Sequence, residues 1–337
     1  MLFYPASNRL HVLTIDQKSE WRDVINRSFH YDFYHTWYYH SLDKSGEPIL
    51  LIYENGGDFI AFPFVKRRKG LSDKSLGAAY GYTGPVSSKR FQDWDVKELE
   101  TFDAGFLTFL RDGEYHSVTT RLHPFIDQTR LLERLGGEFK EGKSVAIDLS
   151  ISIDEQRKSY RRSLWAGIEK LRRKGCYVKE GGADDIHTFI SIYWENMRRI
   201  GADDVYLFNE QYFFDFMASE DFDVKLFFVF SGTEPICASM VTFTNGVIQG
   251  YLIGTREQYL SESPAKFLID QVSVFGREHG MRYYNLGGGL NFEQDQLFHW
   301  KLGFSRLCLN SNKWTFSPFN GAQTFIGFIS NLCLLHW

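Results

Sequence analysis

Residues 281–305 read MRYYNLGGGLNFEQDQLFHWKLGFS. A short strand pattern over 281–286 runs into Gly287, Gly288 and Gly289, then an acidic turn, then a helix over 295–302 that carries Trp300 and Lys301 and stops at Gly303. Glycine accepts the left-handed backbone and lets a ligand or a second strand approach closely. A lysine near the end of the next helix can reach back over the gap the glycines leave. If the chain performs chemistry, it is expected here. Asp295 reads as the helix N-cap and Glu293 as the carboxylate able to take a proton from an amine. The glycines come late in the chain and lead into a loop, so they are not the G-x-G-x-x-G of a dinucleotide fold.

Upstream, residues 224–230, 236–244 and 247–254 form three successive strand patterns, the last two joined by Asn245-Gly246, a strong two-residue hairpin signal. A helix over 264–278 follows them. Before them come a long basic helix over 153–174 with Gly175 as its C-cap, a strand over 176–180, and helices over 183–199 and 210–218. The first half repeats this order. It has a strand at 11–15, helices at 20–29 and 33–41, a hairpin of 48–53 with 59–65, and a Gly- and Tyr-rich strand and loop at 76–86. A helix at 96–111, a strand at 117–122, a helix at 126–135 and a strand at 145–149 complete it. Two copies of one order suggest an internal duplication. The expected division is a first domain over 1–150, a basic linking helix over 151–175 and a second domain over 176–337.

The 337 residues suit two domains of about 150 residues each. Hydrophobic residues at 43% and charged residues at 24% describe a folded chain, and 17% aromatics suit a large organic ligand. A net charge of −4 argues against a globally basic DNA binder. Cys176, Cys237, Cys308 and Cys333 form no CxxC pair, and His30, His35 and His40 lack i,i+4 spacing, so no metal site is expected. There is no G-x-S-x-G elbow, no phosphate loop ending in GK[ST], no signal-peptide pattern and no membrane-length apolar run, which makes the cytoplasm the expected location. The apolar tail over 316–337 reads as a docked helix, with peripheral membrane contact as its alternative.

The second-half order resembles the Gcn5-related N-acetyltransferase (GNAT) fold, an α/β (α+β) mixed sheet flanked by helices. Two tandem copies with a basic helix opening the second resemble its Fem-type branch, the aminoacyl-transferases that build peptidoglycan cross-bridges and their relatives in envelope polysaccharide pathways. Five short stretches carry the likeness. Tyr80-Gly81-Tyr82-Thr83-Gly84-Pro85 resembles the branch's first-domain Tyr-x-Gly-Pro loop, and Gln249-Gly250-Tyr251-Leu252-Ile253-Gly254 the strand leading to its groove. Ser263-Pro264-Ala265-Lys266-Phe267-Leu268 resembles the next helix start, Tyr284-Asn285-Leu286-Gly287-Gly288 the closing strand, and Trp300-Lys301-Leu302-Gly303-Phe304 the aromatic-Lys-x-x-Phe signature.

The resemblance implies an N-acyltransferase acting on a primary amine of a cell-envelope precursor, with the acceptor on the first domain and the donor and catalytic groove on the second. It implies Lys301 at the oxyanion or a donor phosphate; Tyr251 is a candidate to protonate the leaving group, with Glu293 as base. Arg256, Ser263, Ala265, Lys266, Gly287, Gly288 and Trp300 would hold the donor, and Tyr80, Tyr82 and Arg161 would contact substrate. Core packing is the competing reading of Trp300 and Tyr251, and a surface helix end that of Lys301. The expected donor is acyl-CoA, with aminoacyl-tRNA the alternative. One departure bears on this choice: the stretch from Arg256 to Pro264 lacks the glycines with which acetyl-CoA users hold a pyrophosphate. Ser263 is expected to cap the helix there and Pro264 to begin it, while Glu257 and Glu262 oppose an anion. Loss of those glycines also motivates a reading from another class, a non-catalytic ligand-binding module. The basic helix (Arg157, Lys158, Arg161, Arg162, Lys170, Arg172, Arg173 and Lys174), together with residues 66–69, is a solvated face or a contact for tRNA or another phosphate-bearing ligand.

Overall fold

The computed structural model describes residues 9–69, 73–290 and 293–319. In chain order the elements are β1 (Leu10–Thr14), α1 (Lys18–Asn26), α2 (Trp37–Ser41), β2 (Glu47–Asn55), β3 (Asp58–Lys69), β4 (Asp73–Gly77), β5 (Val86–Ser87), α3 (Val96–Asp112), β6 (Tyr115–Arg121), α4 (Thr129–Leu135), β7 (Glu138–Lys140) and β8 (Lys143–Asp148). There follow α5 (Ile153–Ser159), α6 (Arg162–Arg173), β9 (Tyr177–Gly181), α7 (Ile186–Arg199), α8 (Glu210–Met217), β10 (Asp223–Ser231), β11 (Glu234–Thr244), β12 (Val247–Thr255), α9 (Ala265–Glu278), β13 (Tyr283–Gly287), α10 (Gln296–Lys301), β14 (Leu307–Asn310) and β15 (Lys313–Phe316). The strands form two mixed sheets, each in its own compact unit. The apolar tail over 320–337 lies outside the described residues.

The units do not divide at residue 150. The first gathers Met1–His30, Asp43–Glu141 and Ser311–Trp337, and the second Tyr31–Leu42 and Gly142–Asn310. β8, expected to close the first domain, pairs with β13 and β14 of the second sheet, whereas β15 pairs with β6 and β7 of the first. Residues 151–175 are likewise part of the second unit rather than a link before it.

The first sheet runs β1-β2-β3-β4-β6-β15-β7, with β5 on β3. Its helix α3 starts in a capping box, where the Asp95 carboxylate accepts from Lys97 N at 2.8 Å and Glu98 accepts from Asp95 N at 3.2 Å. Leu99, Phe102, Phe106, Phe109 and Leu110 recur at helical spacing and are buried, and Phe106 stacks over Phe62 and Phe64 of β3. At the edge of this core Asp103 pairs with Arg134 of α4 at 3.0 Å. Burial outweighs the arginine and pushes the Asp103 carboxyl up to about 6.

An unfolded aspartate titrates near pH 4. From about pH 4 to about pH 6 the folded chain therefore holds a proton that the unfolded chain has lost, and this residue's contribution to stability falls as pH rises through that window. Compared with Asp103→Asn, the wild-type melting temperature should decline across about pH 4 to 6 and run parallel above about pH 7. A constant difference across the window would remove Asp103 as the cause.

The second sheet runs β14-β8-β13-β12-β11-β10-β9. Asn245 and Gly246, with φ of +47° and +80°, make the tight β11–β12 turn their sequence anticipates. Helix α9 lies close on the sheet, since a side chain at Gly276 would come within 2.3 Å of Ile248. The long basic helix is in fact broken. Tyr160 and Arg161 are non-helical, with ψ of 143° and 132°, and separate α5 from α6. The Tyr160 ring is buried, its hydroxyl bonded to Asp270 at 3.2 Å, and Arg161 N donates to Gly303 O at 2.8 Å. These tertiary contacts override the local helical pattern.

Candidate active site

The second unit opens where two parallel strands part. β12 and β13 pair only at Val247–Tyr283, Ile248–Tyr284 and Gln249–Asn285, although β12 continues to Thr255. Fully buried Asn285 fixes the branch point. Its amide donates to Gln249 Oε1 at 2.8 Å, and its carbonyl oxygen accepts from Ser144 Oγ at 2.6 Å and Gly287 N at 3.1 Å. Beyond it β13 shifts register against β8 and turns at Gly287, whose φ of +77° suits only glycine well.

On the other strand the β11–β12 register also shifts, with Met240 opposite Leu252 and Val241 opposite Gly250, so Tyr251 is the extra residue of a bulge. Its ring stacks on Phe216 at 4.7 Å and meets Phe33 edge-on at 5.5 Å, and its hydroxyl is hydrogen-bonded to that of Tyr212. Burial, then the neighbouring tyrosines, pushes the Tyr251 phenol well above the ordinary value near 10. At neutral pH the phenol therefore keeps its proton. Phe33 comes from the 31–42 segment of the first half, which Asn245 Nδ2 holds at Tyr31 O and Asp221 holds at Tyr38 N, at 3.3 and 2.7 Å.

The glycine turn is closed from inside. A side chain at Gly289 would strike the Glu293 carbonyl at 2.2 Å and the Asp295 carboxylate at 2.4 Å. Asp295 accepts from Phe298 N at 2.8 Å as the N-cap of α10 and from Leu290 N at 3.0 Å across the turn. Those amides and the Lys301 charge, outweighing a desolvation cost, hold its carboxyl below the usual range. Lys301 reaches back as its position suggests, its ammonium donating to Gly288 O at 2.6 Å. Glu293 is exposed on this turn. Trp300 packs against the core and meets Phe304 edge-on at 5.2 Å, a packing contact. Arg161 donates to His299 O at 3.0 Å and so braces the same helix.

The loop after β12 differs most from expectation. Ser263 does not cap α9; it is left-handed, with φ of +52°, and the N-cap position is Pro264, which has no side chain to accept a bond. Ala265 and Lys266 begin α9. Burial lowers the Lys266 ammonium from the ordinary lysine value, and its Nζ would lie 3.8 Å from a side chain at Gly167 of α6. Arg256, expected to hold the donor, instead pairs with Glu195 of α7 at 2.8 Å.

In the first unit, Tyr80 is exposed whereas Tyr82 is buried beneath the Arg121 guanidinium, 4.3 Å from its ring centre. Gln128 staples their loop through Thr83 O and Pro85 O at 3.3 and 2.8 Å, and Gly84 N donates to Thr120 Oγ1 at 2.9 Å. Lys66 is engaged by Glu47, and Arg67 by Ser45 with Ala78 O, along neighbouring strands. The residues sequence reasoning passed over are Gln249, Asn285, Tyr212, Glu195 and Asp270. For Gln249 and Asn285 the signal was a carboxamide inside an apolar strand, where it needs a buried partner. Among the described residues no group of three or more His, Cys, Asp or Glu is placed to hold a metal ion, and no helix is long and apolar enough to cross a membrane.

Residues 158–301 match the family described as "Acetyltransferase (GNAT) domain". No curated protein matches the sequence. Among solved structures, FemX superimposes with a TM-score of 0.71 at 11% identity, covering 94% of this chain and 99% of that one. L-PGS from Bacillus licheniformis gives 0.60 at 12% identity, with 93% and 96% covered. The C-terminal domain of a putative lysylphosphatidylglycerol synthetase from Agrobacterium fabrum gives 0.57 at 12% identity, with 95% and 96% covered. Residues 158–301 thus match an acetyltransferase (GNAT) domain, and the chain as a whole shares the fold of FemX.

Proposed function

We propose that this chain transfers an acyl or aminoacyl group to a primary amine on a cell-envelope precursor, a peptidoglycan peptide or a polysaccharide amino sugar. The parting of β12 from β13 beside the Tyr251–Tyr212 pair carries the reading, because a held acyl donor and a proton for its leaving group are what this transfer requires. The amine nitrogen bonds to the acyl carbon as the carbon–sulfur or carbon–oxygen bond to the carrier breaks. Tyr251 supplies the proton to the departing atom, and Glu293 takes the one the amine loses. Lys301 keeps the glycine turn shut at Gly288 and lends positive charge beside it. Exposed Tyr80 of the first unit remains the acceptor contact proposed, whereas Tyr82, buried beneath Arg121, is a packing residue of that loop.

Two donors fit this chemistry, acyl-CoA and aminoacyl-tRNA. The Arg256–Glu195 pair favours the second, because it engages a loop that a coenzyme A diphosphate would use. A cytoplasmic location, with the apolar run over 325–335 touching the membrane that carries such precursors, belongs to the same proposal. The test incubates the purified full chain with a UDP-linked muramyl peptide and either acetyl-CoA or charged tRNA, followed by mass spectrometry of the peptide. The expected product is one acyl or aminoacyl group on an amine. No product with either donor, and no thermal shift with either, would leave the non-catalytic binding module as the better description.

A further inference from the structure

The loop after β12 has its donors directed at carboxylates of its own chain. Glu195 Oε2 accepts from Arg256 Nη1 at 2.8 Å and Glu195 Oε1 from the Glu257 amide at 2.7 Å. One side-chain anion thus bridges a guanidinium and a backbone N–H with its two oxygens, the geometry in which a phosphate group would be held. Arg256 is fixed further by Pro235 O at 3.2 Å. Glu234 takes the Gln258 amide and the Tyr259 hydroxyl, both at 2.7 Å. The depression there is lined by three carboxylates, Glu195, Glu234 and Glu257, against the single cation Arg256. It is open to solvent, with the Glu195 and Arg256 side chains 33% and 24% exposed, so the pair is reachable by a ligand.

We propose that Glu195 is an internal occupant of the anion cradle formed by Arg256 and the Glu257 amide, and that it bars a diphosphate-bearing donor such as coenzyme A from this loop. A diphosphate entering would have to displace a carboxylate already making two charge-assisted bonds, and would then face Glu234 and the displaced Glu195 at short range. Glu195 is thereby a specificity-determining residue, acting against one donor class instead of for another. The inference deepens the acyl-transfer reading by naming the donor class excluded, yet its binding test stands without any turnover.

Isothermal titration of the full chain with inorganic pyrophosphate, coenzyme A and pantetheine tests it. Wild-type protein should bind no pyrophosphate measurably and should not prefer coenzyme A over pantetheine. Glu195→Ala should acquire pyrophosphate binding and favour coenzyme A over pantetheine by about tenfold, the return of two charge-assisted contacts. Glu195→Gln, which keeps an acceptor for the Glu257 amide while losing the charge, covers the case in which Glu195→Ala fails to fold and should shift the same way by less. A wild-type preference for coenzyme A of about tenfold or more would overturn the proposal, as would unchanged pyrophosphate affinity in the folded variants. If acyl transfer fails in the product assay while these shifts appear, the cradle assignment stands and the function reading falls.

Discussion

Asp270→Ala should lower the stability of the second unit by about 3 kcal/mol. Asp270 lies within α9 and is fully buried. Its two oxygens receive Arg157 in a fork, Nε at 3.0 Å and Nη2 at 2.8 Å, and they also accept from Tyr160 OH at 3.2 Å and Gln271 Nε2 at 2.9 Å. Removing the carboxylate strands a guanidinium that is only 22% exposed. A half-sequestered cation without its anion typically costs about 3–5 kcal/mol, and the water Arg157 keeps places the effect at the lower end. The loss should spread, because Gln156, Ser273 and Arg277 continue the same network and tie α5 to α9. Asp270→Asn retains acceptors without the charge and should fall between. Denaturant unfolding followed by tryptophan fluorescence reads the change, with Trp165 as the local reporter because the Arg157 and Arg172 guanidiniums lie over its ring. A loss below about 1 kcal/mol would mean that the pair merely matches a neutral alternative.

That network also shows where sequence reading stops. The β10–β11–β12 meander was legible because its causes are local, apolar strand runs and an Asn-Gly turn whose two residues adopt positive φ. Asp295 was legible as a cap for the same reason. The break between α5 and α6 was not, because its cause lies more than a hundred residues away, in Asp270 and Gly303, while the local pattern stays helical. β8 and β15 show the same limit in the sheets. An apolar alternation says that a strand is half-buried but not which sheet buries it, and each of these strands crosses the linear boundary to pair. Of the candidate site, Tyr251 and Lys301 are singled out by the motifs that contain them. Tyr212 could not be distinguished among 18 tyrosines, and Glu195 meets Arg256 across 61 positions of sequence.

Tyr251→Phe should reduce kcat by about 100-fold or more while leaving KM within a few-fold. The substitution keeps the ring, its stack on Phe216 and its edge contact with Phe33, so the bulge of β12 and the parting of the strands are retained. It deletes only the hydroxyl that shares a hydrogen bond with Tyr212. Stability should drop by about 1 kcal/mol, the worth of one such bond. Burial keeps the phenol protonated well above pH 10, so the wild-type rate should show no alkaline fall from this group below that point. Tyr212→Phe should cost less, because Tyr251 keeps its own proton and loses only the partner that orients it. The aromatic wall around the pair keeps the phenol protonated at neutral pH, which unsuits it to deprotonate an amine; giving up its proton requires a strongly basic departing atom, such as an alkoxide, and the Tyr212 hydroxyl to share the charge left behind. A Tyr251→Phe enzyme within about threefold of wild type in kcat would remove this phenol from the chemistry and return Tyr251 to the core-packing role that its neighbours also support.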